Sequence, residues 1–562
     1  MTAPEERQDH RFFGRRTLLA AGVALLGILL VAAVLLLVDP FGWNLFDKAS
    51  GLRDEAAAAM PPDVGLYAGL DLVNFSEETL TAFSQPFVTA LAEPGVDDLA
   101  GGLDRLDAML AQEIGLTLGD DVMPWLGRSV GLGLTGLEAR PDGRIDRAGW
   151  LLVAGTQDRA AADEFLAELT RAVSERSGLA PSTSRYRRRT ITSFGPDERV
   201  PLGGLAFTRS AGQLIVGDGE TAVRAAVDAQ LGDSLAGDQA FQSLRDSLPD
   251  GRGLTLYVDQ AQLPQLNRLM AAAVPLAIGP LDLSGMLLPP GAIGVSIVDQ
   301  GLRLDTASLA TDQATGSTSP RQMAGLFPDS TLAFVSGDSL AAAWQSMKAS
   351  LAAGGSAADF DESIALLDRE FGFNPDRALL PALDGEWVLA LLPADEGLVP
   401  ALTGQPLGAV LLAGGNDEAA LSAAVADLSQ ALAGQRLPLA TVEVGGVAAT
   451  FVDLESLVGV PLPLYGLDDG FLFVATSAQV LGQVLRADSA LTGDPDYAAA
   501  VALLPDEFQT TAYLDMPGLR GRLDGLAGGS SAALLEPVQG IVAASGPAAN
   551  GVQTGVVFVI VD

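Results

Sequence analysis

Residues 235–259 read LAGDQAFQSLRDSLPDGRGLTLYVD, and residues 491–515 read LTGDPDYAAAVALLPDEFQTTAYLD. Small, aromatic, proline and acidic residues coincide in the two stretches without any gap. The coinciding residues are Gly237 and Gly493, Asp238 and Asp494, Leu248-Pro249-Asp250 and Leu504-Pro505-Asp506, Tyr257 and Tyr513, and Asp259 and Asp515. Unrelated sequences rarely agree in so many chemically different positions at one spacing. We therefore predict an internal duplication.

The duplication extends over most of the chain. Similar segments recur in the same order: EIG at 113–115 and EFG at 370–372, LLVAGTQD at 151–158 and VLLAGGND at 410–417, QLIVGD at 213–218 and FLFVAT at 471–476. We predict a first repeat at residues 60–309 and a second repeat at residues 326–562. The linker at 310–325 contains TDQATGSTSP, a polar run without helical or strand periodicity.

Each repeat has the same predicted order of elements: a strand, a helical region, several strands, a helix and further strands. A helix follows Asp158, and residues 186–194 are predicted as one strand. Consecutive strands joined by short turns favour antiparallel pairing with helices on one face. We therefore predict the α+β class, with an N-terminal transmembrane helix followed by two duplicated halves of mostly antiparallel sheet with flanking helices.

The N-terminal part has the pattern of a membrane anchor. Every residue from 17 to 38 is apolar, Gly or Thr, and about 20 such residues cross the hydrocarbon core. The preceding residues 1–16 contain Arg7, Arg11, Arg15 and Arg16, which predicts a cytoplasmic N-terminus by the positive-inside rule. We predict a cytoplasmic tail at 1–16, a transmembrane anchor at 17–38 and a tether at 39–59, with the bulk of the chain extracytoplasmic.

Composition excludes several kinds of chemistry. The net charge of −37 argues against nucleic acid as a partner and against adhesion to anionic lipid, because phosphates would be repelled. The chain has no cysteine, which removes disulfides, thiol nucleophiles and thiolate metal sites. The single histidine, His10, lies in the predicted tail. A Ser-His-Asp triad and a histidine-ligated metal are therefore not available in the exterior part.

Several motifs together resemble a known family. They are PPDVGLYAGLDL at 61–72, EIGLTLGDDVMPWLG at 113–127, YRRRTITSF at 186–194, GQLIVGDGETAVRAAVDA at 212–229 and the two Leu-Pro-Asp stretches. The chain resembles, from about residue 60 to its C-terminus, the bacterial membrane-anchored proteins grouped under the uncharacterised domain DUF3352. The resemblance implies an anchored exterior protein. It supplies no established activity and no catalytic residues.

Two motifs invite a catalytic or cofactor interpretation. Residues 131–136, GLGLTG, fit the dinucleotide pattern G-x-G-x-x-G, but Pro141-Asp142-Gly143 follows where the pattern needs a helix. We therefore predict strand glycines. Three adjacent acidic pairs are predicted as solvated turn or helix-start residues: Asp120-Asp121, Asp361-Glu362 and Asp468-Asp469. A carboxylate pair of the glycosidase type stays open, because its spacing is spatial rather than sequential.

The densest basic run beyond the tail consists of Arg185, Arg187, Arg188 and Arg189. On a strand, alternation would place Arg187 and Arg189 on one face and Arg188 on the other. Two interpretations stay open: cross-strand pairing with the surplus acidic residues, or a patch for an anionic ligand. The apolar segment at 270–290 has two interpretations as well, packing on the sheet or contact with lipid or a partner.

These observations predict a membrane-anchored extracytoplasmic protein that acts as a non-catalytic binding or scaffold module of the cell envelope. The alternative is a carboxylate-based hydrolase acting on envelope glycans, and we favour the protein not being an enzyme. We predict no catalytic, cofactor-binding or metal-binding residues and no cofactor. The expected partners are the membrane, through the single span, and an envelope lipid, glycan or protein.

Overall fold

The computed structural model describes residues 55–72, 111, 115–139, 145–197, 200, 204–263, 265–266, 277–278, 281–282, 291–309, 323–345, 348, 357–435, 437–453, 463–486, 489–522, 537–546 and 548–561. They belong to two compact units. The first unit comprises the described residues up to 238 and those within 256–290. The second comprises those within 239–255 and from 291 onward. The boundaries of the repeats, anchor, tether and linker stay predictions.

The first unit is an antiparallel sheet. Its strands are β1 (Leu66–Asp71), β2 (Leu126–Ala139), β3 (Ile145–Thr156), β4 (Ser182–Tyr186), β5 (Arg189–Phe194), β6 (Leu205–Ser210) and β7 (Gln213–Gly217). They lie in the order β1, β2, β3, β7, β6, β5, β4. Strand β8 (Leu254–Val258) contains the boundary between the units, and the two-residue strands β9 (Ala277–Ile278) and β10 (Leu281–Asp282) pair with each other.

Two helices follow strands of this sheet. Helix α1 (Arg159–Ser177) begins behind Asp158, whose carboxylate accepts from the backbone N–H groups of Ala160 and Ala161, as predicted from the sequence. Helix α2 (Glu220–Ala229) follows β7 and buries Val223, Ala226 and Val227. Because buried apolar side chains of α2 recur at helical spacing, this helix is fixed on the sheet.

The second unit is also an antiparallel sheet. Its strands are β11 (Gly291–Val298), β12 (Gly301–Leu309), β13 (Ala333–Gly337), β14 (Trp387–Pro393), β15 (Leu407–Gly414), β16 (Leu439–Val444), β17 (Val447–Val452), β18 (Leu464–Asp468), β19 (Phe471–Ala475), β20 (Gln509–Asp515), β21 (Val538–Ser545) and β22 (Val552–Val561). They lie in the order β11, β12, β22, β21, β20, β13, β14, β15, β19, β18, β17, β16.

The helices of the second unit are α3 (Gln239–Asp246), α4 (Ala357–Phe371), α5 (Pro375–Ala378), α6 (Leu398–Thr403), α7 (Glu418–Gly434), α8 (Ala478–Leu485), α9 (Pro495–Val501) and α10 (Met516–Arg520). Its main core is built from the inner face of the sheet and from α8 and α9. The largest fully buried side chains in it include Phe327, Phe334 and Phe473. Burying these large aromatic rings removes much apolar surface from water and so stabilises the second unit.

The order of strand pairing occurs twice. The series β1, β2, β3, β7, β6, β5, β4 has its counterpart in β13, β14, β15, β19, β18, β17, β16. Within the duplicated stretches, 3-10 turns at Leu235–Gly237 and Leu491–Gly493 each precede a short helix and then a strand, β8 or β20. The residues with coinciding identity therefore occupy the same kinds of element in both copies.

The predicted α+β class is wrong. Twenty of the described strands take part in extensive antiparallel sheet, whereas the helices among the described residues are few and span 4 to 19 residues. Pairs between distant segments, such as β12 with β22, join much of this sheet, and local periodicity cannot reveal them. The predicted anchor at 17–38 lies outside the described residues. No helix within the described part is long and apolar enough to cross a membrane.

Candidate functional site

The predicted single strand at 186–194 is wrong, because this segment turns back on itself. Strand β4 ends at Tyr186 and β5 begins at Arg189, and these two residues are paired across the ladder. Arg187 and Arg188 form the two-residue connection between them. The alternation of arginines over two strand faces therefore does not occur, and the run lies instead at the tip of a hairpin. We call β4, β5 and this connection the basic hairpin.

The turn of the basic hairpin has an unusual backbone. The φ angles of Arg187 and Arg188 are 48° and 67°, the left-handed region that type I′ turns require at both central residues. An L-residue with a side chain enters this region at a cost of roughly 1–2 kcal/mol. Asn, Asp and Gly are the residues that usually occupy it. The two arginines are therefore held in a strained conformation.

Other two-residue turns with positive φ in the described part of the chain contain glycine, and three of them join consecutive strands. Gly445 and Gly446, with φ of 63° and 92°, connect β16 and β17 at the corresponding place of the second copy. The β6–β7 turn has Ala211 and Gly212, and the β18–β19 turn has Asp469 and Gly470, all with positive φ. Of these four two-residue turns, only the basic hairpin lacks a glycine.

Asp228, near the C-terminal end of α2, fixes the turn. The hydroxyl of Tyr186 donates to its Oδ2 at 2.6 Å, and Nε of Arg187 lies 2.9 Å from its Oδ1. The pairing of Arg187 with an acidic residue agrees with the cross-strand interpretation in kind, although the partner lies on a helix. The hydrogen bond from Tyr186 and the ion pair with Arg187 connect the strained turn to one carboxylate of α2.

A second set of contacts joins the same hairpin to the start of α2. The hydroxyl of Ser184 donates to the carboxylate of Glu220, and Arg224 lies 2.5 Å from that carboxylate. Both contacts hold the pKa of Glu220 below its ordinary range, the Ser184 hydrogen bond being the larger cause. The guanidinium of Arg224 also stacks over the Tyr186 ring at 4.9 Å. The whole length of α2 thus supports the hairpin.

Three guanidinium groups of the basic hairpin point to solvent. Arg185, Arg188 and Arg189 are exposed, and none of them forms an ion pair with a residue in the described ranges. Guanidinium groups present a planar fork of donors that matches carboxylate and phosphate oxygens. In a chain of net charge −37, this hairpin is a local concentration of positive charge.

The chain enters the first unit beside the same helix end. The predicted end of the tether forms a buried 3-10 helix at Ala56–Ala59. The side chain of Gln230, at the C-cap of α2, donates to Gln213 at 2.6 Å, and Gln213 donates to the carbonyl of Glu55 at 2.7 Å. Ala56 N–H also donates to Ser129 Oγ at 3.2 Å. These bonds clamp the incoming chain to the C-terminal end of α2.

The glycines at 131–136 lie in a strand, as predicted. A Cβ added to Gly131 would lie 2.6 Å from Ala56, and one added to Gly133 would lie 2.9 Å from Val64. Gly136 has a φ of 57° and marks a bend of β2. These glycines leave room for the incoming chain to pack against the sheet. They do not form a nucleotide-binding loop.

The three acidic pairs lie on three different elements. Asp121 accepts from Thr117, Asp361 and Glu362 are exposed on α4, and Asp469 forms the β18–β19 turn. Across the residues that the structure covers, no group of three His, Asp or Glu side chains is arranged to hold a metal ion. The apolar segment at 270–290 lies, apart from β9 and β10, outside the described residues.

The duplicated stretches contribute a buried tyrosine to each copy. Tyr257 and Tyr513 are 7 % and 5 % exposed. Burial raises the pKa of Tyr257 to about 12, and the carboxylates of Asp259 and Asp238 act in the same direction. Burial raises the pKa of Tyr513 as well. A neutral hydroxyl in a protein interior is a structural group at ordinary pH, so these tyrosines are part of the core.

One comparison with known proteins gives a result. The sequence profile of a family described as protein of unknown function (DUF3352) matches residues 18–560. Neither the curated proteins nor the solved structures contain a match to this chain. Since the profile covers nearly all of the sequence, including both copies of the duplicated stretch, the chain belongs to the DUF3352 family.

Proposed function

We propose that this protein is a membrane-anchored, extracytoplasmic binding module of the cell envelope, without catalytic activity, which contacts an anionic component through the basic hairpin. The observation that carries the proposal is the strained turn at Arg187 and Arg188. At the corresponding turn of the second copy, glycines adopt the same backbone conformation, so the fold does not require arginine there. Strain of this kind is concentrated at functional sites, where the surrounding structure maintains it.

The sequence supports the anchoring part of the proposal. The apolar run at 17–38 is long enough to cross a bilayer, and arginines precede it. Residues 39–54 separate this run from the clamped chain at Glu55. An extended chain spans about 3.5 Å per residue, so the first unit would be tethered within roughly 55 Å of the membrane.

The non-catalytic part of the proposal rests on the acidic residues that the copies share. Asp494 caps α9 by accepting from the N–H of Tyr497, and Asp515 caps α10 by accepting from the N–H of Gly518. Helix caps of this type stabilise a protein by about 1 kcal/mol each. The duplicated acids are therefore used for helix starts, and the repeated sequence preserves architecture.

Two measurements on the full-length chain test the proposal. Protease added to intact cells should remove nearly all mass beyond the span, whereas full protection would refute the exterior location. Because the anchor alone would keep the chain in a membrane fraction, the second measurement offers chain purified in neutral detergent to immobilised envelope components, which should retain wild type better than the Arg185→Gln/Arg188→Gln/Arg189→Gln variant. The control variant Arg369→Gln/Arg377→Gln/Arg171→Gln loses the same charge at other exposed sites and should be retained like wild type.

The alternative hydrolase is tested with the same preparations. Envelope glycans are incubated with the full-length chain, and released sugars are measured. We expect no release above that of a heat-unfolded sample. Turnover that disappears when one Asp or Glu is replaced by its amide, with the fold intact, would overturn the non-catalytic assignment.

A further inference from the structure

We infer that the basic hairpin binds the phosphate of anionic lipid headgroups, on the surface of the membrane in which the chain is anchored. The inference deepens the proposed function and rests on its exterior, anchored topology. It names the ligand as lipid phosphate, and it gives the hairpin the task of setting how the first unit meets the bilayer.

The basic hairpin is held near the point where the chain enters the first unit. Asp228, which holds Tyr186 and Arg187, lies two residues before Gln230, which belongs to the clamp on the incoming chain. Two residues of a helix are separated by about 3 Å along its axis. Two residues also differ by about 200° around the axis, so the arginine turn and the point where the chain enters are both held near the C-terminal end of α2, on different sides of the helix.

The basic hairpin also exposes positive charge to solvent. Arg185, Arg188 and Arg189 are exposed and have no ionic partner among the described residues, while Arg187 is engaged by Asp228. Guanidinium groups bind phosphate oxygens through two parallel N–H donors. Each Lys or Arg close to an anionic bilayer adds a modest attraction, and several together are needed for stable contact.

The strained turn determines which residues lie at the tip of the hairpin. A type I′ turn of two arginines places both residues at the outermost point of the hairpin, and it leaves the Arg188 side chain unpaired among the described residues while Arg187 contacts Asp228. A glycine turn in the same place, as in the second copy, has the same backbone and no side chain to offer. The conformational cost therefore secures charge at the tip.

The net charge of −37 does not prevent this contact. Charges separated by more than about 8 Å are largely screened at physiological ionic strength. Only the local surface at the hairpin tip therefore decides the interaction with a headgroup. The anchor also raises the effective concentration of lipid at the hairpin to the millimolar range, so a weak site would be occupied.

The test uses the full-length chain in nanodiscs of phosphatidylcholine, with or without phosphatidylglycerol. Hydrogen exchange of the amides in β4 and β5 reports contact of the hairpin with the bilayer. We expect exchange at residues 182–194 to slow at least threefold when phosphatidylglycerol is present. The Arg187→Gly/Arg188→Gly variant, which reproduces the turn of the second copy, should lose this protection. The β16–β17 hairpin, at 439–452, serves as the internal reference and should not respond.

Two further experiments distinguish lipid from other sources of phosphate and test whether the phosphate group is what the hairpin recognises. Short-chain phosphatidylglycerol added to the full-length chain in neutral detergent should bind about tenfold more tightly to wild type than to the variant. Inorganic phosphate at high concentration should compete. Protection by a phosphate-rich envelope polymer but not by lipid, or equal protection in wild type and variant, would overturn the inference.

Failure of the inference is distinguishable from failure of the proposed function. If the exterior location is wrong, protease shaving fails while the titration with short-chain lipid still succeeds. If the lipid assignment is wrong, the titration fails while shaving and retention on immobilised envelope components remain as proposed. A matched charge control, Arg369→Gln/Arg377→Gln, should leave both the lipid titration and the exchange pattern unchanged.

Discussion

The turns β4–β5 and β16–β17 occupy the same place in two copies of one sheet, yet one contains Arg187 and Arg188 and the other Gly445 and Gly446. All four residues have positive φ. The strand framework therefore imposes the type I′ geometry whatever residues it receives. Because glycine enters this geometry without steric strain, the fold does not require arginine at this turn.

The helix beneath each turn sharpens the contrast. In the first copy Asp228 of α2 meets Arg187 at 2.9 Å. In the second copy the position of a Cβ on Gly445 lies 3.7 Å from Nε of Arg486, at the end of α8. The first turn is thus paired with an acidic residue and the second lies beside a basic one. Charge at the tip is supported in one copy and opposed in the other.

The largest effect is expected from moving the arginines to the second copy. In Gly445→Arg/Gly446→Arg, both residues would enter the left-handed region, and a Cβ at 445 would lie 3.0 Å from Leu485. Together with repulsion from Arg486, we expect the free energy of unfolding to fall by about 2–3 kcal/mol. Chemical denaturation of the full chain measures this fall.

A matched substitution controls for the added charge. Gly434, at the exposed end of α7, has open space around its Cβ position and no positive φ. Gly434→Arg should leave the free energy of unfolding within about 0.5 kcal/mol of wild type. If the turn variant were as stable as this control, the claim that the geometry is costly for arginine would be wrong.

A second, smaller effect concerns what the copies share. A tyrosine in an unfolded chain ionises near pH 10, whereas Tyr257 in the folded protein does so at about 12. The folded state therefore retains the proton more tightly, and its stability is complete below pH 10 and is lost as the pH rises toward 12. We expect a loss of about 1 kcal/mol per buried tyrosine at pH 11.

Tyr257→Phe and Tyr513→Phe test this pH dependence in the two copies. Each substitution should remove about 1 kcal/mol of the decline in unfolding free energy between pH 9 and pH 11. Measurements at pH 8 give the reference for each variant. A decline that is as steep in the double variant as in wild type would show that these tyrosines do not govern the alkaline transition.

Local patterns predicted those parts of the fold that carry their own signals. Asp158 and the apolar spacing behind it predicted α1, and the pair Asp468-Asp469 was predicted at a turn or helix start; the structure confirms α1 and places Asp469 in the β18–β19 turn. The α+β class was wrong because it counted helices by periodicity. The sheet is instead organised by pairs such as β12 with β22, whose partners are far apart in sequence.

The sequence identified the arginines of the candidate site, but it did not predict their turn or the contacts around it. The arginine run was identified as the densest basic run, with pairing to acidic residues or an anion patch as its interpretations, but it was placed on a strand, since Arg-Arg carries no turn signal. The signal was present in the other copy, where Val444-Gly445-Gly446-Val447 is a typical type I′ turn. Aligning the copies would have exposed it. The clamp through Gln213 and Gln230 could not be predicted, because amide side chains give no periodic pattern.

A third, still smaller effect tests the support of the basic turn. Asp228→Asn removes the charge that Arg187 and Tyr186 contact, and we expect a loss of about 0.5–1 kcal/mol, since the carboxylate is partly exposed. In the Arg187→Gly/Arg188→Gly background the loss should be smaller, which a double-mutant cycle measures. Asp246→Asn, which removes an exposed partner of Arg245, is the matched control.

The central claim is that the turn of Arg187 and Arg188 reduces stability while the charge of Arg188, unpaired among the described residues, contributes to binding, and one variant tests both. Arg187→Gly/Arg188→Gly is compared with wild type as full-length chain in neutral detergent, by chemical denaturation and by titration with short-chain phosphatidylglycerol. We predict that the free energy of unfolding rises by about 1 kcal/mol, after allowing for the flexibility of glycine in the unfolded chain, while affinity falls about tenfold. A variant that is less stable, or that binds as wild type does, would contradict the account.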